Sequence, residues 1–293
     1  MSSPLVGQTH RRLATSQRVV YDEIMVAPAQ GYSPSAQKPH AVMDAWRSLW
    51  PDMIVRPPLA ATLEDLCRAH EERYVTDVLA GRVANGFGTV SDEVNASLPY
   101  TSGALLTAAR WALQGGGAVA APVSGFHHAG WDSGEGFCTF NGLMVTALAL
   151  QAERPGLRVG ILDYDFHYGN GTDDILDVLG CTDIVHITAG EFWKRPEQAS
   201  GFLVNIEHDL AKMADCDVVL YQAGADPHID DPLGGFLTTS QLATRDWRVF
   251  EGLRQRRIPV AWDLAGGYQT PLSKVIEIHV NTFRAAVEAY ASA

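Results

Sequence analysis

The chain has 293 residues, 46% of them hydrophobic, which is enough to fill the core of a large α/β domain and unlike a disordered protein. Asp and Glu number 34 against 22 Lys and Arg, and the formal charge of −12 argues against broad nucleic-acid backbone binding and favours cationic ligands. Four scattered cysteines and the absence of any run near the roughly 18 apolar residues of a membrane span predict a reduced, cytoplasmic protein.

Short apolar runs alternate with amphipathic stretches along the chain. The apolar runs predict buried strands at RVVYDEIMV, GAVAAPV, LRVGILDYD, TDIVHIT, DVVLYQAGAD and IPVAWDLAGG. The amphipathic stretches predict helices at about 38–49, 63–80, 102–115, 140–153, 202–213, 239–256 and 272–291. This alternation predicts an α/β fold with a mainly parallel sheet between helices, in a single domain over 1–293. We expect 1–18 to be loosely ordered, and 81–101, which lacks periodicity, to be a functional loop.

Polar side chains follow four of the predicted strands where each strand ends. In DYDFHYGNG, the side chains of Asp163, Asp165 and His167 alternate and start out on one face of an extended segment. The other three strand ends are followed by His127 and His128, by Asp226, and by Tyr268. Ligands of such sheets collect at the carboxyl ends of the strands, so we expect these side chains to meet there.

Each of these features also has a simpler explanation. Tandem histidines are often only hydrogen-bonded in a loop, an Asp at a strand end commonly caps the next helix, and Gly-Gly-Tyr is compatible with a plain turn. Together, however, Asp165, His167 and Asp226 form a nitrogen and oxygen ligand set that leaves one coordination position open. Their combination therefore favours a catalytic metal site over chance clustering.

Four motifs carry a family resemblance. The segments GFHHAGWDSGEGFCTFN, DYDFHYGNGT, YQAGADPHIDDPLGGF and LAGGYQ, in this order, resemble the histone deacetylase superfamily, which includes bacterial acetylpolyamine amidohydrolases and related acyl-amine hydrolases. The length and the GFHHA form are most similar to short class IV-like and bacterial members. The resemblance implies the arginase/deacetylase-type fold, with an eight-stranded parallel sheet between helices.

The resemblance also implies a role for each matching residue. Asp165, His167 and Asp226 correspond to the zinc ligands. His128 corresponds to the general acid/base and His127 to its electrostatic partner, with Asp163 accepting a hydrogen bond from His127, Asn170 orienting His128, and Tyr268 donating to the substrate carbonyl. The chemistry fits, because zinc with three protein ligands activates water, a histidine moves protons, and a fixed donor stabilises the oxyanion.

The substrate side of the resemblance is less closely defined. Gly136 and Phe137 correspond to the lining of an acyl-lysine tunnel, with Phe192 or Trp193 as its opposite wall. Asp92 or Glu93 is the candidate acid that grips the substrate backbone. A structural potassium ion of the family uses the DxDxH segment, here Asp163, Asp165 and His167, together with the next strand.

These observations lead to one expected function and two alternatives. The expected function is a zinc-dependent hydrolase, with Fe²⁺ as a cellular alternative to zinc, that deacylates an acyl-lysine or an acylpolyamine. The alternatives are a binding protein that kept the pocket without catalysis and an arginase-like dimanganese hydrolase, which needs more carboxylate ligands. Nucleic acid and membranes are not expected partners, and a homo-oligomer is compatible with the sequence.

Overall fold

The computed structural model describes residues 17–28 and 36–291, and its strands form one sheet. The strands are β1 Arg18–Val20, β2 Ile54–Arg56, β3 Ala118–Ala120, β4 Val159–Asp163, β5 Ile184–Thr188, β6 Val218–Gln222 and β7 Val260–Asp263. Their order is β2-β1-β3-β7-β6-β4-β5, and every neighbouring pair is parallel. The predicted α/β fold with a parallel sheet is therefore confirmed, with seven strands in the described residues where the resemblance implied about eight.

Helices flank this sheet. They are α1 Lys38–Leu49, α2 Leu63–Ala69, α3 Glu72–Leu79, α4 Asp92–Gly115, α5 Gly142–Glu153, α6 Asn170–Leu179, α7 Ala199–Lys212, α8 Thr239–Arg256 and α9 Ser273–Ala291. In the part of the chain that the structure describes, none of the helices is both long and apolar enough to cross a bilayer.

The helix predicted at 63–80 is in fact two helices, α2 and α3. The side chain of Thr62 accepts a hydrogen bond from the amide of Asp65 in a capping box that starts α2. His70 then leaves the helical conformation, with φ −136° and ψ 155°. Its buried ring contacts Gly130 and Asn141, and those tertiary hydrogen bonds replace continuation of the helix.

The loop predicted at 81–101 is shorter than expected. Helix α4 begins at Asp92, ten residues before the predicted start at 102, and the Ser91 side chain accepts from the amide of Val94 as its N-cap. Pro99 lies inside this helix and obscures its periodicity in the sequence.

Two further differences lie in chain segments with a weak sequence signal. Helix α6 was not predicted, because its first turn overlaps the polar end of the DYDFHYGNG motif. Of the N-terminal segment 1–18, residues 1–16 lie outside the described residues, whereas Arg18 is ordered as the first residue of β1.

Four neighbouring strands end in one polar row. The register pairs Asp163 with Thr188 on one side and with Gln222 on the other, and Gln222 with Asp263. All four side chains are buried, and strands β4, β6 and β7 are buried along their whole lengths. The carboxyl ends of these strands therefore bring polar groups together at one end of the sheet.

Candidate active site

Three side chains from the ends of β4 and β6 converge on one point. Asp165, His167 and Asp226 each offer a ligand atom, and these atoms lie within 4.8 Å of one another. The Nδ1 atom of His167 is 3.2 Å from Asp165 Oδ1 and 2.9 Å from Asp226 Oδ2. One imidazole nitrogen facing two carboxylates in this way fits a zinc ion with an open fourth position.

Backbone amides hold both carboxylates in place. Asp165 Oδ1 accepts from the amide of His167 at 2.9 Å, and its Oδ2 accepts from the amide of Gly266 at 2.8 Å. Asp226 Oδ1 accepts from the amide of Phe166 at 3.3 Å. A side chain at Gly266 would place its Cβ 2.5 Å from Asp226 Oδ2, so only glycine lets the backbone approach this closely.

The electrostatics of this group are those of a cation site. Burial, together with the charge of Asp165, raises the pKa of Asp226 to about 7. Burial also disfavours the charge on Asp165, but His127 and the hydrogen bond from His167 hold the pKa of Asp165 well below its ordinary value. Although burial lowers the pKa of His167, its two carboxylate partners raise that pKa to about 10. Two crowded carboxylates would be relieved by a divalent ion.

The two tandem histidines differ in their partners. His127 Nδ1 donates to Asp163 Oδ2 at 2.7 Å, and His128 Nδ1 donates to Asn170 Oδ1 at 2.6 Å. The ring centroids of the two histidines are only 4.1 Å apart. The family resemblance implied these two pairings, and in the structure both pairs are in contact.

The different partners and the short distance between the rings shift the pKa values of His127 and His128 in opposite directions. Burial opposes the charge on His127, but Asp163 and Asp165 outweigh it and raise the pKa of His127 to about 9. Burial, followed by the charge of His127, lowers the pKa of His128 below its ordinary value. At neutral pH, His127 is therefore the cationic ring and His128 the neutral one, a pair of environments suited to different chemical roles.

A narrow pocket opens beside these rings. Tyr268, Gly136 and Phe137 line it together with His127, His128 and Asp165. The Phe137 ring is 5.9 Å from the Tyr268 ring. Gly136 has φ +55°, and a Cβ there would lie 2.4 Å from the His128 ring, so this turn requires glycine.

The remaining substrate candidates lie elsewhere. Phe192 is 64% exposed, and with Trp193 it lines a separate cavity that also includes Asp173 and His186. Asp92 is exposed in the first turn of α4. The structure does not bring these three residues into the pocket of Tyr268, and their roles in substrate binding stay predictions.

The potassium site also stays a prediction. Both carboxylate oxygens of Asp163 already accept hydrogen bonds, Oδ1 from the amide of Asp165 and from Gln222 Nε2, and Oδ2 from His127. A potassium ion held by Asp163, Asp165 and His167 would therefore depend mainly on their backbone carbonyl oxygens.

Several supporting residues were missed by sequence reasoning. Gln222 donates to Asp163 at 3.0 Å, Asp231 accepts from the amide of Tyr268 at 2.8 Å, and Glu135 accepts from Asn170 at 2.7 Å. The buried Lys38 donates to the carbonyl of Ala265 at 2.5 Å, and burial lowers the pKa of its ammonium to about 8. Gln222 and Asp231 lie inside quoted motifs, but only tertiary structure reveals their partners.

Comparison with known proteins gives consistent matches. The sequence profile of the histone deacetylase domain matches residues 34–187. The chain is 29% identical to an uncharacterized protein of Picosynechococcus sp., covering 82% of this chain and 87% of that protein. It is 28% identical to the acetoin utilization protein AcuC of Bacillus subtilis, covering 73% of this chain and 66% of AcuC.

Two further matches carry the deacetylase name. The chain is 25% identical to histone deacetylase 2 of Arabidopsis thaliana, covering 75% of this chain but only 64% of that protein. The crystal structure of the HDA15 HD domain superposes with a TM-score of 0.78 at 19% identity, covering 94% of this chain and 89% of that domain. This structural likeness supports the fold assignment.

Proposed function

Because the chain belongs to the histone deacetylase family, we propose that it is a zinc-dependent hydrolase that removes an acyl group from an acylated amine. Deacetylase-type hydrolysis follows from the family, whereas the metal and the amine are the proposal. The observation that carries it is the cluster of three metal-ligand candidates beside a pair of histidines, one bonded to the carboxylate of Asp163 and the other to the amide of Asn170.

Asp165, His167 and Asp226 would hold the zinc ion. When bound, zinc acts as a Lewis acid and lowers the pKa of a water molecule to about 7. The nitrogen and two-carboxylate donor set also accepts Fe²⁺, and metal availability decides between the two ions. Among the described residues, the acids, histidines and cysteines form a single such cluster, which argues against an arginase-like dimanganese site.

His128 is suited to move protons. Its Nδ1 is committed to Asn170, so Nε2 of the neutral ring is the atom that takes a proton from the attacking water. The same atom then donates that proton to the amine nitrogen as the C–N bond breaks, which leaves a free amine and a carboxylate. The positive charge of His127, paired with Asp163, stabilises the negative charge that develops nearby.

Tyr268 supplies the second stabilising group. It lines the same pocket as both histidines, and the hydrogen bond that its backbone amide donates to Asp231 fixes its backbone. Its hydroxyl would donate to the substrate oxygen as that oxygen gains charge, which is the role of an oxyanion donor. Gly136 and Phe137 line the same pocket, where the methylene stem of an acyl-lysine or acylpolyamine would lie.

Metal content and turnover test this proposal together. We expect about one zinc per purified chain, and hydrolysis of at least one substrate in a panel of acyl-lysine peptides and acylpolyamines. Asp165→Ala, His167→Ala and Asp226→Ala should each lose zinc and activity because each removes a ligand. Full zinc occupancy in all three variants would falsify the ligand assignment, and zinc binding without any turnover would favour the silent binding protein.

A further inference from the structure

The two strands that carry the metal ligands lose their backbone pairing just before those ligands. Beyond the registered pairs of β4 and β6, the amide of Tyr164 donates to the carbonyl of Gln222 at 3.0 Å. Two backbone carbonyl groups follow this last bond of the ladder. They are the carbonyl of Tyr164, directly before Asp165, and the carbonyl of Gly224, two residues before Asp226. Some donor is needed to hold these two carbonyl oxygens together.

Arg245 of helix α8 is that donor. Its side chain is fully buried, and its Nη1 atom donates to the carbonyl of Tyr164 at 3.0 Å and to the carbonyl of Gly224 at 2.8 Å. One nitrogen of a permanent cation therefore joins the two strands at the point where their own ladder has ended.

Gly224 packs directly against both carboxylate ligand residues. A Cβ built on Gly224 would lie 2.6 Å from Asp226 Oδ1 and 2.9 Å from the Cα of Asp165. The backbone of Gly224 is thus wedged between the two carboxylate residues. Any shift of Gly224 away from Tyr164 must change the separation of those carboxylates.

The guanidinium is itself held in a fixed orientation. Its Nε atom donates to Asp246 Oδ1 at 2.8 Å. Asp246 also accepts from Tyr221 at 2.5 Å and from Thr282 at 2.6 Å, so groups on β6 and α9 anchor the pair. Buried and hydrogen-bonded through both Nε and Nη1, Arg245 has little freedom to follow a displaced backbone.

We infer that Arg245 is a positioning residue for the metal, which sets the spacing of Asp165 and Asp226 through the carbonyls of Tyr164 and Gly224. The inference rests on the proposed function for the identity of the site as a metal site. Residues that orient metal ligands typically contribute about 10- to 100-fold in metal affinity.

The sign of the effect separates positioning from simple electrostatics. Replacing Arg245 with a neutral residue removes a cation close to two carboxylates, while Asp246 keeps its hydrogen bonds from Tyr221 and Thr282. This loss of one positive charge makes the site more negative, so through charge alone it would tighten the binding of a divalent cation. Loss of positioning weakens it instead.

The test compares Arg245→Met with a matched control, Arg18→Met. Arg18 is also a buried arginine that donates to backbone carbonyls, those of Trp111 and Gly116, but it lies on β1, which β3 and β7 separate from β6. Zinc affinity is measured by competition with a chelator, and the ligand geometry by the visible spectrum of the Co²⁺-substituted protein. We expect Arg245→Met to bind zinc 10- to 100-fold more weakly with an altered spectrum, and Arg18→Met to lose thermal stability only.

Arg245→Lys tests the same contact more gently and covers the case in which Arg245→Met does not fold. Lysine keeps a cation that can reach one carbonyl, so we expect zinc affinity between those of the wild type and Arg245→Met, or below wild type if only this variant folds. If the folded Arg245 variants keep the zinc affinity and the Co²⁺ spectrum of the wild type, the inference about Arg245 is overturned, but the proposed metal site is not. A wild-type protein that binds neither ion would overturn the proposed metal site as well.

Discussion

At the scale of single residues, Tyr268 separates catalysis from metal binding. Its hydroxyl is proposed to stabilise charge that develops fully only in the transition state, so its loss should act mainly on kcat. We expect Tyr268→Phe to keep its fold, its zinc and a near-normal KM while kcat falls about 10²-fold or more. Steady-state kinetics with parallel metal analysis checks this, and a variant with full zinc and wild-type kcat would contradict the role.

The pH dependence reports on His128. A base must be neutral, and burial with the neighbouring charge of His127 lowers the pKa of His128 below 6.5. We therefore expect the part of the acidic limb of kcat/KM that reflects protonation of His128 to lie below pH 6.5, in a profile whose apparent pKa values belong to the coupled site. In Asn170→Asp, a carboxylate replaces the amide beside Nδ1 and favours the imidazolium, so the acidic limb should move to higher pH. An unmoved limb in a folded, zinc-loaded variant would argue against His128 as the base.

Gly266 tests how closely the backbone must approach the ligands. Its added Cβ would lie 2.5 Å from Asp226 Oδ2 and 2.8 Å from Asp165 Oδ2, so Gly266→Ala must push a carboxylate aside. We expect at least a 10-fold loss of zinc affinity, as for other groups that orient ligands. Gly201→Ala, inside α7 with its nearest neighbour at 3.4 Å, is the control and should bind zinc normally. Equal zinc affinities in the two variants would show that the site tolerates this displacement.

At the scale of elements, His70 ties the end of α2 to the start of α5. Its Nδ1 donates to the carbonyl of Gly130, and its Nε2 accepts from the amide of Asn141, the N-cap residue of α5. The bond from Asn141 requires the neutral ring, since a protonated Nε2 could not accept it. Burial lowers the pKa of His70 to about 4.

This pKa predicts acid sensitivity with a definite sign. Between pH 6.5 and about 4, the unfolded chain protonates His70 while the folded chain does not, so the free energy of unfolding should fall as pH falls through this window. Denaturant unfolding at several pH values measures the slope. His70→Asn should be less stable at pH 7 yet lose less on acidification, and an unchanged slope would exclude His70 as a source.

Strands were more predictable than helix boundaries, and the reasons are local. Buried apolar runs mark β4, β6 and β7 directly, because strands covered on both faces are mostly apolar. The break at His70 depends on partners at positions 130 and 141, which no local pattern reveals. The start of α4 at Asp92 was hidden by Pro99, which ordinarily ends a helix.

Some residues of the candidate site could be predicted from the sequence and others could not. The motif order indicated Asp165, His167 and Asp226, because chemically distinctive residues stand out at strand ends. Gln222 and Arg245 were not singled out, since a buried glutamine in a strand and an arginine in an amphipathic helix have no distinctive local signal. Their importance arises from the register of β4 with β6 and from the packing of α8.

At the scale of the whole molecule, the charge of −12 should influence which substrates arrive fastest. We expect kcat/KM for an acyl-lysine peptide with flanking Lys and Arg to fall as NaCl rises from about 0.05 to about 0.5 M, because salt screens the long-range attraction. The same peptide with uncharged flanks is the control and should respond little. Identical salt dependence for both peptides would mean that net charge does not steer binding.

The arrangement of ligands on two strands also makes the metal a folding ligand. His167 and Asp226 are 59 positions apart in sequence and meet only after β4 and β6 have paired. An unfolded chain therefore offers no complete site, and zinc, on the proposed function, would bind almost exclusively to the native state. By mass action, free zinc at a thousand times its Kd would add about 4 kcal/mol to the free energy of unfolding. The thermal midpoint of the protein should consequently drop in a strong chelator and recover when zinc is restored.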